Sequence, residues 1–254
     1  MRRAIFAALI AACASTALNA EPTPKERLLV PPPHADHYVV IWEGRKHGDE
    51  WRWTYDRSVA YREFIRLRGL VFDQDEVVWF RDNGIPSTFV IRGVTPSGDA
   101  TETFAMDDAM AGWKTPAGEG EARARPGALY YPFGGAMLAM DALVPSLLRA
   151  GAKGVDLFPS GHATLQPSRK LTVYGPQGAK AVQLYFLTGV KQSPLPIWLE
   201  ENGTLFGEKG KLFGIVSALT LLPAGYESNM RAMRLAQNAA IAELAPAIAH
   251  VPSK

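Results

Sequence analysis

Cysteine is nearly absent: Cys13 is the only one in 254 residues, and it sits in an N-terminal stretch that reads as removable. Without it the chain has no disulfide, no thiolate nucleophile and no thiolate metal ligand, so stability in an oxidising compartment rests on packing. An excess of one charge is missing as well. There are 27 Lys and Arg against 25 Asp and Glu, and loss of Arg2 and Arg3 with the leader leaves a neutral chain. A neutral surface exerts no general pull on nucleic acid or anionic lipid, and neither partner is expected. Past Glu21 no apolar run reaches the roughly 18–20 residues of a membrane span, so no transmembrane anchor is expected. Complete catalytic motifs are also lacking. Neither Pro96-Ser97-Gly98 nor Pro159-Ser160-Gly161 fits G-x-S-x-G, and both read as turns. Gly134-Gly135 lacks the Lys-Ser/Thr of a P-loop and the third glycine of a dinucleotide fingerprint.

What is present begins with an export signal. Two arginines are followed by an uncharged apolar run from Ala4 to Leu18 and a small residue before Glu21, which predicts cleavage after Ala20 and a periplasmic or secreted protein. A second reading takes Ile10-Ala11-Ala12-Cys13 as a lipobox, making Cys13 the lipidated first residue of a lipoprotein.

Residues 21–36 are polar and then proline-rich, with Pro31-Pro32-Pro33, predicting a stiff extended leader. From 37 to about 250 a single β-rich domain is expected, in a mainly β fold with helices (α+β): curved antiparallel sheet packed with one or two helices. Strands are predicted at 37–43, 51–55, 59–72, 77–81, 88–95 and 101–106, with Asp82-Asn83-Gly84 and Pro96-Ser97-Gly98-Asp99 as turns. A loop is expected over 115–127. A kinked helix follows over 135–150, or two short helices, because Pro145 removes a backbone donor. Further strands are predicted at 163–174, 179–190, 195–200, 204–208 and 212–222. A final helix over 226–244 carries Met230, Met233, Ile241 and Leu244 as one apolar stripe, with Pro246 as its stop.

Candidate chemistry is sparse. Of His34, His37, His47, His162 and His250, only His34 and His37 are closely spaced, and three prolines precede them, so they read as exposed residues at a strand entry rather than metal ligands. Asp99 with Glu102, and Asp107 with Asp108, are carboxylate pairs that read as solvated turn residues. The aromatics Trp42, Trp51, Trp53, Tyr55, Tyr61, Phe64, Phe72, Trp79, Phe80, Phe89 and Phe104 concentrate in the first β run. They read as the core of a curved sheet, with a concave ligand pocket as the alternative. No catalytic, cofactor-binding or metal-ligating residue is assigned, and no cofactor is expected.

Several strings carry a resemblance. They are Ala35-Asp36-His37-Tyr38-Val39-Val40 with Gly48-Asp49-Glu50-Trp51, IRGVTPSGDATETF over 91–104, Ala111-Gly112-Trp113-Lys114, ALYYPFGG over 128–135, PIWLEENGTLFG over 196–207, and LPAGYE over 222–227. Together, over most of 35–245, they resemble the N-terminal region of secreted bacterial amidohydrolase-superfamily proteins, where a β-rich segment precedes a metal-dependent (β/α)8 hydrolase barrel. The family's His-x-His pair is not in this sequence, so no metal ligand carries over. The resemblance implies a non-catalytic accessory domain, with a hydrolase barrel as partner and a truncated gene product or a separate module as its origin. The alternative is a stand-alone periplasmic binder of a lipophilic small molecule held in a curved sheet.

Overall fold

Two-residue turns set many of the strand boundaries in the computed structural model, which describes residues 23–55, 57–191, 193–212 and 216–248. The predicted signal, Cys13 and His250 lie outside these residues. The first run forms β1 (Asp36–Trp42), β2 (Arg45–Tyr55), β3 (Ser58–Leu67), β4 (Leu70–Phe80), β5 (Pro86–Thr95), a short β6 (Gly98–Asp99), β7 (Glu102–Met106), β8 (Met110–Thr115) and β9 (Gly118–Arg123). The strand predicted over 59–72 is therefore two strands, β3 and part of β4. Between them Arg68 and Gly69 both take positive φ, 50° and 77°, as Glu43 and Gly44 do between β1 and β2. Such a turn matches strand twist, and a charged residue in its first position hides the signal that Asn-Gly or Asp-Gly would give.

The predicted loop over 115–127 is mostly strand: β9 pairs with β8 from Thr115 opposite Gly118 to Met110 opposite Arg123. Its low β propensity is overridden by its neighbour. The Trp113 ring lies where a side chain at position 120 would go, and glycine leaves that space open.

The middle segment comprises β10 (Leu129–Tyr130), a 3-10 turn (Met137–Ala142), α1 (Val144–Ala150), a second 3-10 turn (Gly151–Lys153) and β11 (Val155–Phe158). Of the two readings for 135–150, two short helices is the one observed. Pro145 sits in the first turn of α1, where no backbone donor is needed. Then come β12 (His162–Gly175), β13 (Gly178–Thr188), β14 (Leu195–Glu200), β15 (Leu205–Leu212), β16 (Val216–Pro223), a 3-10 turn (Glu227–Asn229) and α2 (Met230–Ile248). Pro246 does not stop α2, which runs two residues further; one missing donor in a last turn is tolerated. Among the described residues no helix is long and apolar enough to cross a membrane.

All sixteen strands found among the described residues belong to one sheet, ordered β10-β11-β12-β13-β14-β15-β16-β1-β2-β3-β4-β5-β7-β8-β9, with β6 beside β5. Pairing is antiparallel except between β10 and β11. At the centre β1 meets β16, Tyr38 to Ile41 opposite Pro223 to Thr220. The sheet curls until its ends meet through side chains. Phe104 of β7 stacks on Tyr130 of β10 at 4.2 Å, and Trp113 of β8 reaches Phe158 of β11 at 6.4 Å.

The inner face holds the larger core, in which Tyr61, Phe72, Phe89 and Phe104 pack with Leu138, Leu143, Val144 and Leu147 of the middle segment. These aromatics are core, as read from sequence, while Trp79 is 40% exposed. A second core on the outer face joins Val182, Leu184, Trp198 and Phe206 to Tyr226, Met233 and Ala240. Ile241, expected in the helix stripe, is exposed. The buried line passes instead through Met233, Gln237 and Ala240.

Over its described residues up to 35 the proline-rich leader has no helix or strand but is tied down. Asp75, wholly buried, accepts the Leu29 amide at 2.7 Å and both arms of Arg92, while Lys25 pairs with the exposed Asp99.

Candidate functional site

Four buried glutamates on β2, β3, β4 and β7 line up across the inner face. Alternation places Glu63 on the side of Tyr61 and Ile65, Glu76 on the side of Phe72 and Val78, and Glu102 on the side of Phe104. Register then aligns them. Glu50 of β2 is opposite Glu63 of β3, Glu63 is opposite Gln74 of β4, and Glu76 and Glu102 flank Ile91 of β5. All four glutamates are fully buried and Gln74 is nearly so.

A strap of backbone, residues 133–138, lies across this row. Glu102 accepts the amides of Phe133 at 2.8 Å and Gly134 at 3.0 Å, and the Tyr130 hydroxyl at 2.5 Å. Glu76 accepts the Ala136 amide at 3.2 Å, Glu63 that of Met137 at 3.3 Å, and Glu50 that of Leu138 at 2.7 Å. The Gln74 amide donates to Glu63 at 2.7 Å and to the Gly135 carbonyl at 2.9 Å. The Gly134-Gly135 pair that failed as a phosphate motif is thus the point where backbone meets carboxylates. At Gly135, φ is +97°, and a β-carbon would overlap Glu76 Oε2. Beyond the strap, Asp141 accepts from Arg52 of β2 and from the Leu205 amide of β15, pinning the 3-10 turn to both sides of the β1–β16 junction.

Burial sets the electrostatics of the row. Burial pushes Glu50 and Glu76 well above the usual carboxylate range and also raises Glu63 and Glu102. The charge of Glu63 adds to the effect on Glu50, and that of Glu102 to the effect on Glu76. The strap amides oppose the shift, because they favour the ionised form. On β15, burial pushes Glu208 up to about 7, with Lys191 pulling it down and Glu63 raising it. Gln74 Oε1, Glu76 Oε1 and the Tyr61 hydroxyl are buried without a protein partner, while the Glu50 and Glu63 carboxyl groups bond to each other when one of them holds a proton. Among the described residues no group of three or more His, Cys, Asp or Glu could hold a metal ion.

Glu102, expected with Asp99 among the solvated acids, lies elsewhere. It is a buried member of the row, whereas Asp99 is exposed in its turn and holds the Thr101 amide. Asp107 and Asp108 are exposed turn residues, as expected. Glu50, Glu63, Glu76 and Glu208 were not singled out. Their signal was an acid on the apolar side of an alternating strand, as in Tyr61-Arg62-Glu63-Phe64-Ile65.

Two histidines do meet carboxylates. His37 bonds Asp49 at 2.5 Å and stacks on Trp51. His162 bonds Asp156 through Nδ1 and the Lys153 carbonyl through Nε2, both at 2.9 Å. The Asp156 contact raises the His162 pKa, and with both nitrogens committed the ring has none left to take a substrate proton. His34 is exposed, and His47 packs edge-on to Trp42.

No protein-family model matches the chain, and no curated protein does so either. Among solved structures, a DUF1089 family protein from Pseudomonas aeruginosa is similar at 13% identity, covering 73% of this chain and 97% of its own, with a TM-score of 0.36. A likeness at that level carries no argument about function.

Proposed function

We propose that the chain is a non-catalytic accessory domain of the kind that precedes a secreted metal-dependent amidohydrolase barrel. The observation that carries this reading is where the resembling strings fall. Glu50 lies in the string 48–51, Glu102 in 91–104, the front of the strap in 128–135, and Leu205, held by Asp141, in 196–207. Glu63 and Glu76 lie outside them. The strings that resemble the family therefore build much of the row and strap, and this polar cluster is spent on the chain's own backbone rather than aimed at a substrate.

The second reading is a binder of a lipophilic molecule; the open groove of about 380 Å³ beside α1 gives it a place, but its lining mixes Leu148, Tyr185 and Leu199 with Lys170, Gln183, Glu200 and Glu201 and is not an apolar cradle. Three measurements decide. Sequencing the gene past the Lys254 codon is expected to reveal an in-frame His-x-His and a (β/α)8 pattern. The chain alone, supplied with zinc, is expected to hydrolyse no N-acyl amino acid or dipeptide. Turnover by the chain alone defeats the non-catalytic reading. Absence of any nearby barrel frame defeats the truncated-product origin and leaves a separately encoded barrel or a stand-alone role, and a lipid recovered by mass spectrometry from a solvent extract of the protein would put the binder in place of the accessory reading.

A further inference from the structure

The row and the strap oppose each other energetically. Five carboxylates, those of Glu50, Glu63, Glu76, Glu102 and Glu208, sit in or beside an apolar interior, and the strap lies across the first four. We propose that strap 133–138 is a pH-operated latch: it closes over the glutamate row while the row is protonated and lifts as the row ionises, admitting water to the aromatic-lined inner face. This inference stands on the row itself and holds under either functional reading.

The groups facing the row can be named from each side. Arg62 donates to the Glu63 carbonyl and pairs with Asp73, so its charge is shared. Arg52 is occupied by Asp36 and Asp141. Lys191 faces Glu208 from the segment after β13. Tyr130 donates to Glu102, Tyr131 feels Glu208, and Tyr61 stands opposite Glu76 with its hydroxyl unpartnered. None of these places a full cation on Glu50 or Glu76.

Ionisation of the row then sets like charges opposite one another, Glu50 against Glu63, in a medium that screens poorly. Two effects compete at each glutamate. Strap amides stabilise the ionised form, and the cover that the strap provides destabilises it. Burial is the first cause at all four glutamates, and the strap supplies part of that cover through residues 133–138, so ionisation of the row weighs against the closed strap. Gln74 Oε1 and Glu76 Oε1 are buried acceptors without a donor, which admitted water would supply.

Amide hydrogen exchange tests the latch. Protection factors, corrected for intrinsic exchange, are followed from about pH 5 to about pH 8.5 for the amides of Phe133, Gly134, Ala136, Met137 and Leu138. Amides of the β13–β14 hairpin serve as reference. Strap protection is expected to fall at least about tenfold more than the reference, since one unit of pKa difference is worth a factor of ten. Glu50→Gln keeps an acceptor for Leu138 but cannot ionise, and is expected to flatten the profile. If that variant does not fold, Glu102→Gln serves in its place, and the wild-type profile decides by itself. Unchanged strap protection, or strap and reference amides losing protection together, overturns the latch.

Discussion

At Gly135 a single hydrogen atom separates a closed strap from a steric clash. A β-carbon there overlaps Glu76 Oε2, approaches Ile91 Cδ1 at 3.1 Å, and meets a backbone at φ +97° that side chains rarely adopt. Gly127 has the same conformational demand, φ +76°, with nothing within 4 Å. The pair separates backbone strain from packing. Gly127→Ala is expected to cost about 1 kcal/mol, and Gly135→Ala at least about 2 kcal/mol more from the forced shift of a buried carboxylate. Urea unfolding of both variants measures the difference, and equal losses would mean that the strap does not press on the row. Neither consequence was legible from sequence, since Gly134-Gly135 announces a tight place but not what is tight against it. The glutamates were half-legible. Glu63 alternates with apolar residues, yet an acid on that side is most often explained by a wet face.

Among the elements, hairpins with Asn-Gly or Pro-Ser-Gly-Asp turns were readable, and those turning through Glu43-Gly44 and Arg68-Gly69 were not. The β8–β9 hairpin was missed because its second strand owes its conformation to pairing and to the Trp113 ring over Gly120, not to its own residues. Helix α2 was found, but its facing was partly misjudged at Ile241. It is seated by Asn229, whose side chain accepts the Tyr174 amide at 3.0 Å and donates to the Tyr174 carbonyl at 2.8 Å, and by the Tyr226 ring at right angles to Phe206. With this seating Met233 points into the outer core and Ile241 does not. Met233→Ala is expected to cost about 2–4 kcal/mol and Ile241→Ala no more than about 0.5 kcal/mol. Denaturant midpoints at constant slope report both, and a large loss at Ile241 would show the helix turned the other way.

For the whole molecule, buried acids invert the usual response to pH. An acid whose folded pKa lies above its unfolded value near about 4.3 holds its proton more tightly in the folded state. Stability from such a group is complete below the unfolded value and is lost as pH rises through the folded one. For Glu208 that window ends near about 7. Asp99, Asp107 and Asp156, held low by hydrogen bonds, act in the opposite sense at acid pH but are exposed and weigh little. The expected profile is a stability that declines from weakly acidic to alkaline pH. Glu208→Gln is expected to lessen the decline, its advantage over the parent widening by on the order of 3 kcal/mol between about pH 4 and about pH 8.5. Guanidinium titrations across that range check this, and parallel curves would show that Glu208 ionises freely in the fold.

The β1–β16 junction has a further meaning for how the chain finds its shape. Because the sheet is interrupted between β9 and β10, which are neighbours in sequence, and closed between its first and last strands, its order is a circular permutation of a simple meander. Each half is assembled mostly from adjoining hairpins of low contact order. A single seam, Tyr38 to Ile41 against Thr220 to Pro223, bears the main loop-closure entropy of joining them. Nearly every other neighbour in the sheet is a neighbour in the chain, so a ring-closed chain reopened between β9 and β10 would carry the same contacts with that long-range step removed.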